Sequence, residues 1–407
     1  RMIYPTGEEG VYTYDGNHNM LTSSVEDEDG EAVTVTYEYN KQNRVKKIVN
    51  ADGSVVTKSY DSAGRLQVVN DRTKTGQYIS VFIYNYDALG RIVTEQNPIS
   101  MEKYTMTYDS LGRLITRTET DMGSGEVLSE ENFTYDDAGN ITDDGTDNVY
   151  TYDTGNRLMY VNNSRGWTNV KGNQAKYIRG GRTVSVSYDA RNRLKTIDGS
   201  VNEYWYDADN NRVNMYDHST NMQYTYDCAG GRSRLVWTNS HLSVVTTYAY
   251  GAEGLIWSRA NGEYQVYHYD YRGSVIAVTD IDGNITDTLK YDAYGKVSER
   301  TGNSSLIFGY NGRYGVLTDP SGLLYMRTRY YSPDFKRFMS ADIIDGSITD
   351  STTLNVFAYV NGNPISFVDP FGLSAERGNN NKNVINDLRQ LYNCSYDYYS
   401  SHTNKTE

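Results

Sequence analysis

The stretches YDSAGRL (Tyr60–Leu66), YDALGRI (Tyr86–Ile92) and YDSLGRL (Tyr108–Leu114) repeat one pattern of seven residues. Related copies are YEYNKQNRV from Tyr37, YDDAGNI from Tyr135, YDTGNRL from Tyr152, YDARNRL from Tyr188, YDADNNRV from Tyr206 and YDCAGGRSRL from Tyr226. Most spacings run from 17 residues (Tyr135 to Tyr152) to 27 residues (Tyr108 to Tyr135), with a longer gap before Tyr188. A self-similar period of this size is the sequence signature of a repeat architecture.

Each copy predicts one β-hairpin and its connection. In YTYD, Tyr150 and Tyr152 alternate with Thr151 and therefore point to one face of a strand. The Asp that follows can bond the backbone two residues on, and the next Gly or Asn tolerates a positive φ. The Arg-Leu pair then opens the return strand. Because a lone hairpin is marginally stable in water, successive hairpins are expected to join into a continuous sheet.

Composition agrees with an all-β chain and excludes several classes of function. The chain has 40 tyrosines and 36 glycines but only 6 prolines, which favours strands joined by tight turns. The net charge of −13 argues against a nucleic-acid surface, which needs clustered Lys and Arg. The histidines are scattered and Cys228 and Cys394 stand far apart, so neither a metal site nor a cofactor is predicted. No apolar run approaches the roughly 18 residues of a membrane helix.

The repeats resemble the YD repeats of the RHS family, which are also found in teneurins and in the C component of Tc toxins. The resemblance covers residues 12–373. Two later stretches are similar to the RHS repeat-associated core domain. They are YHYDYRGSVIAVTDIDGNI, from Tyr267, and FGYNGRYGVLTDPSGLLYMRTRYYSPDFKRFMSAD (Phe308–Asp342). The resemblance implies that the hairpins form a spiralling sheet that is part of a hollow shell. We therefore divide the chain into repeats (1–266), a core domain (267–373) and a variable tail (374–407).

The stretch ISFVDPFGLSAERGNNN (Ile365–Asn381) is where the β pattern stops. In RHS and Tc toxin proteins the core domain ends in a self-cleavage site, with the cut after the Leu of a final DPxGL. The resemblance thus implies a cut between Leu373 and Ser374, in a turn shaped by Pro370 and Gly372. It also implies that an Asp in this element, here Asp369, acts together with a second Asp.

The second carboxylate is ambiguous in the sequence. The family pattern puts an Asp-Pro-x-Gly-like element upstream, and SADIIDG aligns Asp342 with its Asp. Ile343 stands where the family has Pro, and the glycine is Gly346, one residue late. Asp345 is therefore an alternative to Asp342. Two carboxylates close together have pKa values that split, which would supply one acid and one base at a single pH.

Three arginines are candidates for holding one of these carboxylates ionised: Arg327, Arg329 and Arg337. Alternation along LLYMRTRYY (Leu323–Tyr331) predicts a strand that places Arg327 and Arg329 on the same face as Tyr325 and Tyr331. The alternative is that these are ordinary packed arginines of the shell.

After Leu373 the family has a toxin, but 34 residues remain here (374–407), too few to bury a core unaided. VINDLRQLY (Val384–Tyr392) has helical spacing and predicts a short amphipathic helix in an otherwise irregular tail. His402 with Asp397 is a weak catalytic candidate, and a solvated tail is the better interpretation.

Two functions remain open. The first is the C-terminal part of a shell that encloses its own C-terminal segment as cargo and cuts it free, with an immunity protein as partner of a full-length toxin. Self-cleavage would be its enzymatic activity, and no free substrate is predicted. The second is a cell-surface protein that binds carbohydrate or protein without cleavage. Both imply a bacterial protein that is secreted or at the cell surface. The chain begins at Arg1 inside a β pattern, so we interpret it as part of a longer protein and draw nothing from the missing signal peptide.

Overall fold

The computed structural model describes residues 1–26, 30–162, 164–165, 167–169, 172–179, 182–199, 201–218, 220–229, 233–240, 244–344, 346–347 and 349–378. Asp345, one of the candidate carboxylates, lies outside these residues. The predicted tail helix, His402, Asp397 and Cys394 also lie outside them.

Two long antiparallel sheets dominate the fold, and in both the strand order is the order of the sequence. The first sheet has 12 strands: β1 Met2–Ile3, β2 Glu9–Tyr14, β3 Met20–Glu26, β4 Ala32–Tyr39, β5 Val45–Val49, β6 Val55–Tyr60, β7 Leu66–Arg72, β8 Tyr78–Tyr86, β9 Ile92–Asn97, β10 Glu102–Tyr108, β11 Leu114–Asp121 and β12 Val127–Asn132.

Two small sheets connect it to the second long sheet. They comprise β13 Thr134–Tyr135, β14 Ile141–Asp143, β15 Tyr150–Tyr152, β16 Leu158–Val161 and β17 Ser164–Arg165. The second long sheet has 14 strands: β18 Trp167–Thr168, β19 Gln174–Arg179, β20 Arg182–Tyr188, β21 Leu194–Ile197, β22 Asn202–Tyr206, β23 Arg212–Asp217, β24 Asn221–Asp227, β25 Arg234–Ser240, β26 Val245–Gly251, β27 Gly254–Ala260, β28 Glu263–Tyr269, β29 Val275–Thr279, β30 Ile285–Tyr291 and β31 Val297–Thr301.

The remaining described segment is less regular and packs against the sheets. Its strands are β32 Leu317–Thr318, β33 Leu324–Met326, β34 Arg329–Ser332, β35 Arg337–Phe338, β36 Phe367–Val368 and β37 Glu376–Arg377. Helix in the described residues is limited to short 3-10 turns, among them Gly312–Tyr314, Ser351–Thr353 and Val360–Gly362. The all-β prediction is confirmed. The domain boundary predicted after residue 266 falls inside β28, and the regular sheet continues to Thr301.

Most of the repeat turns in the described residues close in the same way, and Asp87–Arg91 shows how. The backbone N–H of Asp87 donates to the Arg91 carbonyl at 3.0 Å, and the N–H of Gly90 donates to the Asp87 carbonyl at 3.0 Å. Asp87 Oδ1 accepts the N–H groups of Leu89 and Arg91, both at 2.9 Å. Gly90 has φ 77°, a left-handed conformation that glycine adopts without strain. The predicted turn chemistry of Asp and Gly is therefore present.

In the repeats that carry it, the arginine after the turn joins that repeat to the next, which the sequence alone did not indicate. Arg65 pairs with Asp61 at 2.7 Å, its guanidinium lies 4.5 Å from the Tyr86 ring centroid, and it donates to the Asp87 carbonyl at 3.3 Å. The Tyr86 hydroxyl in turn donates to the Leu66 carbonyl at 2.5 Å. We call this arrangement the tyrosine–arginine ladder.

Both contacts of the ladder, the tyrosine hydroxyl bond and the arginine–ring contact, recur along the chain. The tyrosine hydroxyls donate to the carbonyl that opens an earlier strand: Tyr39 to Met20, Tyr60 to Val45, Tyr108 to Ile92, Tyr135 to Leu114, Tyr152 to Ile141, Tyr206 to Leu194, Tyr269 to Leu255 and Tyr291 to Val275. The arginines cover the following tyrosine ring: Arg44 on Tyr60, Arg91 on Tyr108, Arg113 on Tyr135 and Arg193 on Tyr206. Because the contacts couple neighbouring hairpins, they fix the stacking of one repeat on the next.

The two long sheets face each other across a layer of buried and partly buried polar contacts. These join Glu8 to Arg259 and Thr247, Lys58 to Glu253, Asp71 to His268, Asp52 to Thr279, Lys290 to Glu102 and Glu119, and Glu131 to the N–H of Ala293. Buried charges are tolerated when they are paired, so the layer fixes which strands of the two sheets meet.

His268 lies at the centre of this layer. Its Nδ1 is 2.7 Å from Asp71 Oδ2, and its Nε2 is 3.0 Å from the Thr279 hydroxyl. Thr279 donates its single proton to Asp52 Oδ2 at 2.6 Å, so Nε2 must donate to Thr279 while Nδ1 faces a carboxylate. Burial alone would lower the pKa of His268, but Asp71, with Asp52, outweighs it and raises the pKa above its usual value. His268 is therefore a buried imidazolium between two carboxylates.

The predicted strand Leu323–Tyr331 is wrong in one respect, because the chain turns back within it. Met326 pairs with Arg329, so Arg327 and Thr328 form a two-residue hairpin turn between β33 and β34. Arg327 takes a left-handed φ of 58°, as such hairpins require. The alternation therefore does not carry Arg327 and Arg329 along one strand face.

We predict that Tyr108→Phe lowers the free energy of unfolding by about 1 kcal/mol, because the Ile92 carbonyl loses its donor. Urea denaturation followed by tryptophan fluorescence measures this. The control is Tyr160→Phe, since Tyr160 is 40% exposed on β16 and should change stability by less than about 0.5 kcal/mol. Equal effects of the two substitutions would contradict the role assigned to the ladder.

We predict that the stability difference between wild type and His268→Gln depends on pH. Because the folded-state pKa of His268 is raised, its contribution is complete below the unfolded pKa and is lost as pH rises through the folded value. The free energy of unfolding of wild type should exceed that of the variant most at about pH 6 and least at about pH 9. The control is His218→Gln, at an exposed histidine, whose curve of unfolding free energy against pH should be parallel to that of wild type. If the curve of His268→Gln were also parallel to that of wild type, His268 would not be an imidazolium.

Candidate functional site

The segment Asp369–Leu373 closes as a variant of the repeat turn. Between β36 and β37, which pair with each other, the N–H of Gly372 donates to the Asp369 carbonyl at 3.3 Å. Asp369 Oδ1 accepts the N–H of Leu373, four residues on, at 2.9 Å. Both bonds have direct counterparts in the Asp87 turn. The turn chemistry of the YD repeats thus recurs where the β pattern of the sequence ends.

This turn differs from the repeat turns at one bond. In the repeats the N–H of the Asp donates to the carbonyl four residues on, as from Asp61 to Arg65 at 2.9 Å. Within the described residues the Leu373 carbonyl accepts no such bond from Asp369. Asp369 Oδ1 instead also accepts the N–H of Ser374, at 3.1 Å. The peptide bond between Leu373 and Ser374 therefore has a carboxyl group at its nitrogen and a carbonyl without the usual donor.

Arg329 links the two carboxylates that the sequence singled out. Its Nη2 lies 2.7 Å from Asp342 Oδ2 and 3.4 Å from Asp369 Oδ2. Its Nε donates to the Gly372 carbonyl at 2.6 Å, and its Nη1 donates to the Val356 carbonyl at 2.9 Å. One guanidinium thus holds Asp342, Asp369 and the backbone next to Leu373 in a fixed arrangement.

The electrostatics separate the two carboxyl groups. Burial raises the pKa of Asp369 to about 6; Arg329 and the N–H groups of Leu373 and Ser374 oppose this, and Asp342 adds to it. Arg329 remains a cation, although burial lowers its pKa. Asp342 takes the shorter contact with that cation. Asp369 therefore binds a proton more readily than an ordinary aspartate, and Asp342 is the carboxyl group that lies closer to the cation.

Asp342 is held by the backbone despite the absence of proline at Ile343. Its N–H donates to the Val356 carbonyl at 3.0 Å, and its Oδ1 accepts the N–H of Ile344 at 3.0 Å. Ile343 is 62% exposed and does not separate Asp342 from Arg329. The rival Asp345 lies outside the described residues.

The other two candidate arginines bind backbone carbonyls. Arg327 donates to the Pro370 carbonyl at 3.0 Å and stacks 4.5 Å from the Phe371 ring centroid. Arg337 donates to the Asn156 carbonyl at 2.6 Å. Arg327 thus contacts the turn without an ion pair to its carboxylate, and among the three arginines the described carboxylate contacts belong to Arg329.

Sequence reasoning missed Thr328. Its hydroxyl oxygen lies 2.7 Å from the Phe371 carbonyl and 2.8 Å from the Gly372 carbonyl, at the tip of the Arg327–Thr328 hairpin. The sequence would have pointed to Thr328 only if the hairpin turn at Arg327 and Thr328 had been predicted. That hairpin turn places Thr328 against the Asp369–Leu373 segment.

Among the described residues no group of histidine, cysteine and acidic side chains could hold a metal ion. No helix in this part of the chain is long and apolar enough to cross a membrane.

The fold and site define a class of protein: an antiparallel shell of Tyr-Asp hairpins with a less regular segment that ends in a carboxylate pair. The family model Teneurin YD-shell matches residues 55–365, and the chain belongs to this family.

Several known proteins are similar to the chain. The tRNA nuclease WapA of Bacillus subtilis (strain 168) is 30% identical over 250 residues, which are 60% of this chain and 9% of that protein. The double-stranded DNA deaminase toxin A of Burkholderia cenocepacia (strain H111) is 27% identical over 329 residues, covering 72% of this chain and 21% of that one. The crystal structure of TcdB2-TccC3 has a TM-score of 0.75 and 18% identity over 90% of this chain and 21% of that chain.

The predicted resemblance and the shell fold are confirmed by these matches. The chain spans about a tenth to a fifth of the length of these relatives.

We predict that Gly372→Ala destabilises the protein more than Gly283→Ala does. Both glycines have a left-handed φ, 65° and 83°, so both substitutions carry backbone strain of about 1–2 kcal/mol. A Cβ at Gly372 would also lie 2.9 Å from the Met326 carbonyl and from the Thr328 hydroxyl, whereas one at Gly283 meets nothing nearer than 3.6 Å. Urea denaturation compares them; equal losses would mean that the Asp369 turn is not tightly seated on the hairpin.

Proposed function

We propose that the chain is the C-terminal part of a YD-repeat shell that encloses its own C-terminal segment and cuts it free between Leu373 and Ser374. The observation that carries the proposal is the position of Asp369 Oδ1, 3.1 Å from the Ser374 nitrogen. In a hydrolysis of this bond, that nitrogen is the leaving group. A buried carboxyl at this position with a raised pKa is suited to act as its general acid.

The reaction is a hydrolysis in which one carboxyl group acts as the base and the other as the acid. The charged Asp342 takes a proton from a water whose oxygen adds to the Leu373 carbonyl carbon. The Leu373–Ser374 bond breaks as Asp369 gives its proton to the Ser374 nitrogen. The products are a Leu373 carboxylic acid and a Ser374 amine, between which a proton passes to give carboxylate and ammonium. Transfer of the proton from Asp342 to Asp369 restores both side chains.

Arg329 is assigned a positioning role in this scheme. It keeps Asp342 ionised through the 2.7 Å contact and fixes the Gly372 carbonyl through Nε, one residue from the cut. Since the guanidinium is planar and rigid, the two carboxylates and the backbone are held together without further reorganisation.

The relatives support a setting for this activity. Two of them are named as a nuclease and as a deaminase toxin, and this chain covers only a small part of each. We propose by analogy that the full-length protein carries a toxin as cargo after Leu373, that an immunity protein accompanies it, and that it is secreted or at the surface of a bacterium.

We predict that purified protein yields a fragment beginning at Ser374 and that Asp369→Asn and Asp342→Asn abolish rather than halve its formation. Residues that act as a unit lose nearly all activity when either is removed. Intact-mass spectrometry measures the cut. Asn at 369 keeps an oxygen for the Leu373 and Ser374 amides, so circular dichroism should show an unchanged fold.

The matched control is Asp280→Asn, because Asp280 accepts the N–H of Asn284 in the same type of turn, far along the sequence from the cut. This variant should cut like wild type. Uncut wild type, or a cut in Asp369→Asn, would reject the proposal. Loss of cutting in Asp345→Asn with a normal cut in Asp342→Asn would transfer the base to Asp345.

A further inference from the structure

A large cleft lies at the part of the ladder formed by the first repeats. Its volume is about 730 Å³, within the range of small-molecule sites. It is lined by residues of the turns Asp15–Asn19, Asn40–Arg44 and Asp61–Arg65, with Tyr14, Tyr39 and Tyr60 before them. The turn after β26 and Arg377, which follows the proposed cut, complete the lining. We call it the ladder cleft. It contains none of the groups assigned to cleavage.

The charge of the ladder cleft is opposite to that of the protein. The chain carries a net charge of −13, yet the lining includes four arginines, Arg44, Arg65, Arg234 and Arg377, and one carboxylate, Glu253. Glu253 is neutralised by buried Lys58. A cationic cleft in an acidic protein attracts an anion and repels most of the protein's own surface.

Two of these arginines have no anionic partner among the described residues. Arg65 pairs with Asp61, and Arg377 donates to the carbonyls of Leu89 and Gly90. The side chains of Arg44 and Arg234 make no hydrogen bond or ion pair within the described part of the chain, although each lies near a tyrosine ring. They are free to bind a carboxylate in the fork geometry that suits a guanidinium.

Tyr39 supplies a further feature that points to a ligand. A repeat arginine covers the ring of several later ladder tyrosines, among them Tyr60, Tyr86 and Tyr108. The turn before Tyr39 has Asn19 at the position of that arginine, as some later turns also have Asn. Asn19 donates to Asn43 at 2.9 Å, and among the described residues no cation lies over the Tyr39 ring. An aromatic face of this kind, beside Asn19, Gln42 and Asn43 in the same lining, offers stacking and planar hydrogen-bonding groups together.

We propose that the ladder cleft binds an acidic saccharide. A sugar ring stacks on Tyr39, its hydroxyls bond the amides of Gln42 and Asn43, and its carboxylate is held by Arg44 and Arg234. A neutral sugar would not use the two guanidinium groups. An acidic peptide would offer no sugar ring to stack on Tyr39 and no vicinal hydroxyls to bond the amides.

The test is isothermal titration calorimetry with the full chain at 0.15 M salt and four probes: trigalacturonic acid, maltotriose, tri-glutamate and inorganic phosphate. Trigalacturonic acid should bind at least about tenfold more tightly than the other three, because the neutral sugar lacks charge-assisted bonds and the others lack the ring. The proposal is overturned if maltotriose, tri-glutamate or phosphate binds as tightly as trigalacturonic acid. Such a result would indicate a peptide site for tri-glutamate and a simple anion site for phosphate.

Variants locate the binding. Arg44→Gln and Arg234→Gln should each weaken trigalacturonate binding about tenfold, while Tyr39→Phe, which keeps the ring, should bind nearly as wild type. The control is Arg191→Gln, since Arg191 is an exposed arginine in a later turn that contacts the Ala208 carbonyl. Unchanged binding in both Arg44→Gln and Arg234→Gln, or equal loss in Arg191→Gln, overturns the assignment. The result is independent of whether the Leu373–Ser374 bond is cut.

Discussion

The structure depends on the contact between the arginine of one repeat and the tyrosine of the next. In that contact a guanidinium is paired with its own Asp, covers the following ring and reaches the following turn, as Arg65 does with Asp61, Tyr86 and Asp87. A hairpin cannot bury its apolar face alone, and where the arginine is present these contacts make one turn the support of its neighbour. Each exposed pair contributes little, and the stability of the shell comes from the repetition.

The candidate site is a modification of this turn and not a separate structure. The Asp of a repeat turn uses its carboxylate to hold two N–H groups, and Asp369 does the same. Both carboxylates accept the N–H four residues on, but the repeat Asp also accepts the N–H two residues on, whereas Asp369 accepts that of Ser374, five residues on. In addition, an arginine from another hairpin, Arg329, replaces the arginine of the repeat. Burial of the turn then raises the pKa of its carboxyl group. A structural Asp becomes suited to acid catalysis because its surroundings change.

The sequence predicted the hairpins, the role of Asp and Gly in the turns and the all-β class, because these follow from local alternation and turn chemistry. It also singled out Asp342 and Asp369, although through resemblance and not through physics. It did not predict the hairpin turn at Arg327 and Thr328, since Arg is an uncommon residue at a positive φ. The sequence also did not predict the roles of Arg329 and of the ladder arginines, because the residue pattern within a single repeat does not show which contacts it makes with other repeats.

The ladder cleft and the cleavage site lie on the same chain but use arginine differently. At the site one guanidinium is shared between two carboxylates and is buried, with a side chain 4% exposed. In the cleft Arg44 and Arg234 have no carboxylate partner among the described residues and face an open volume. The first arrangement positions groups of the protein, and the second is suited to a group from outside.

The central claim is that Asp369 acts as an acid at the Ser374 nitrogen, and the pH dependence of the cut tests it most directly. Freshly refolded wild type is held at a series of pH values and the rate of appearance of the Ser374 fragment is followed by mass spectrometry. Since the pKa of Asp369 is raised to about 6, the rate should fall as pH rises through about that value. A rate that is constant or that increases between about pH 5 and about pH 8 would contradict the assignment.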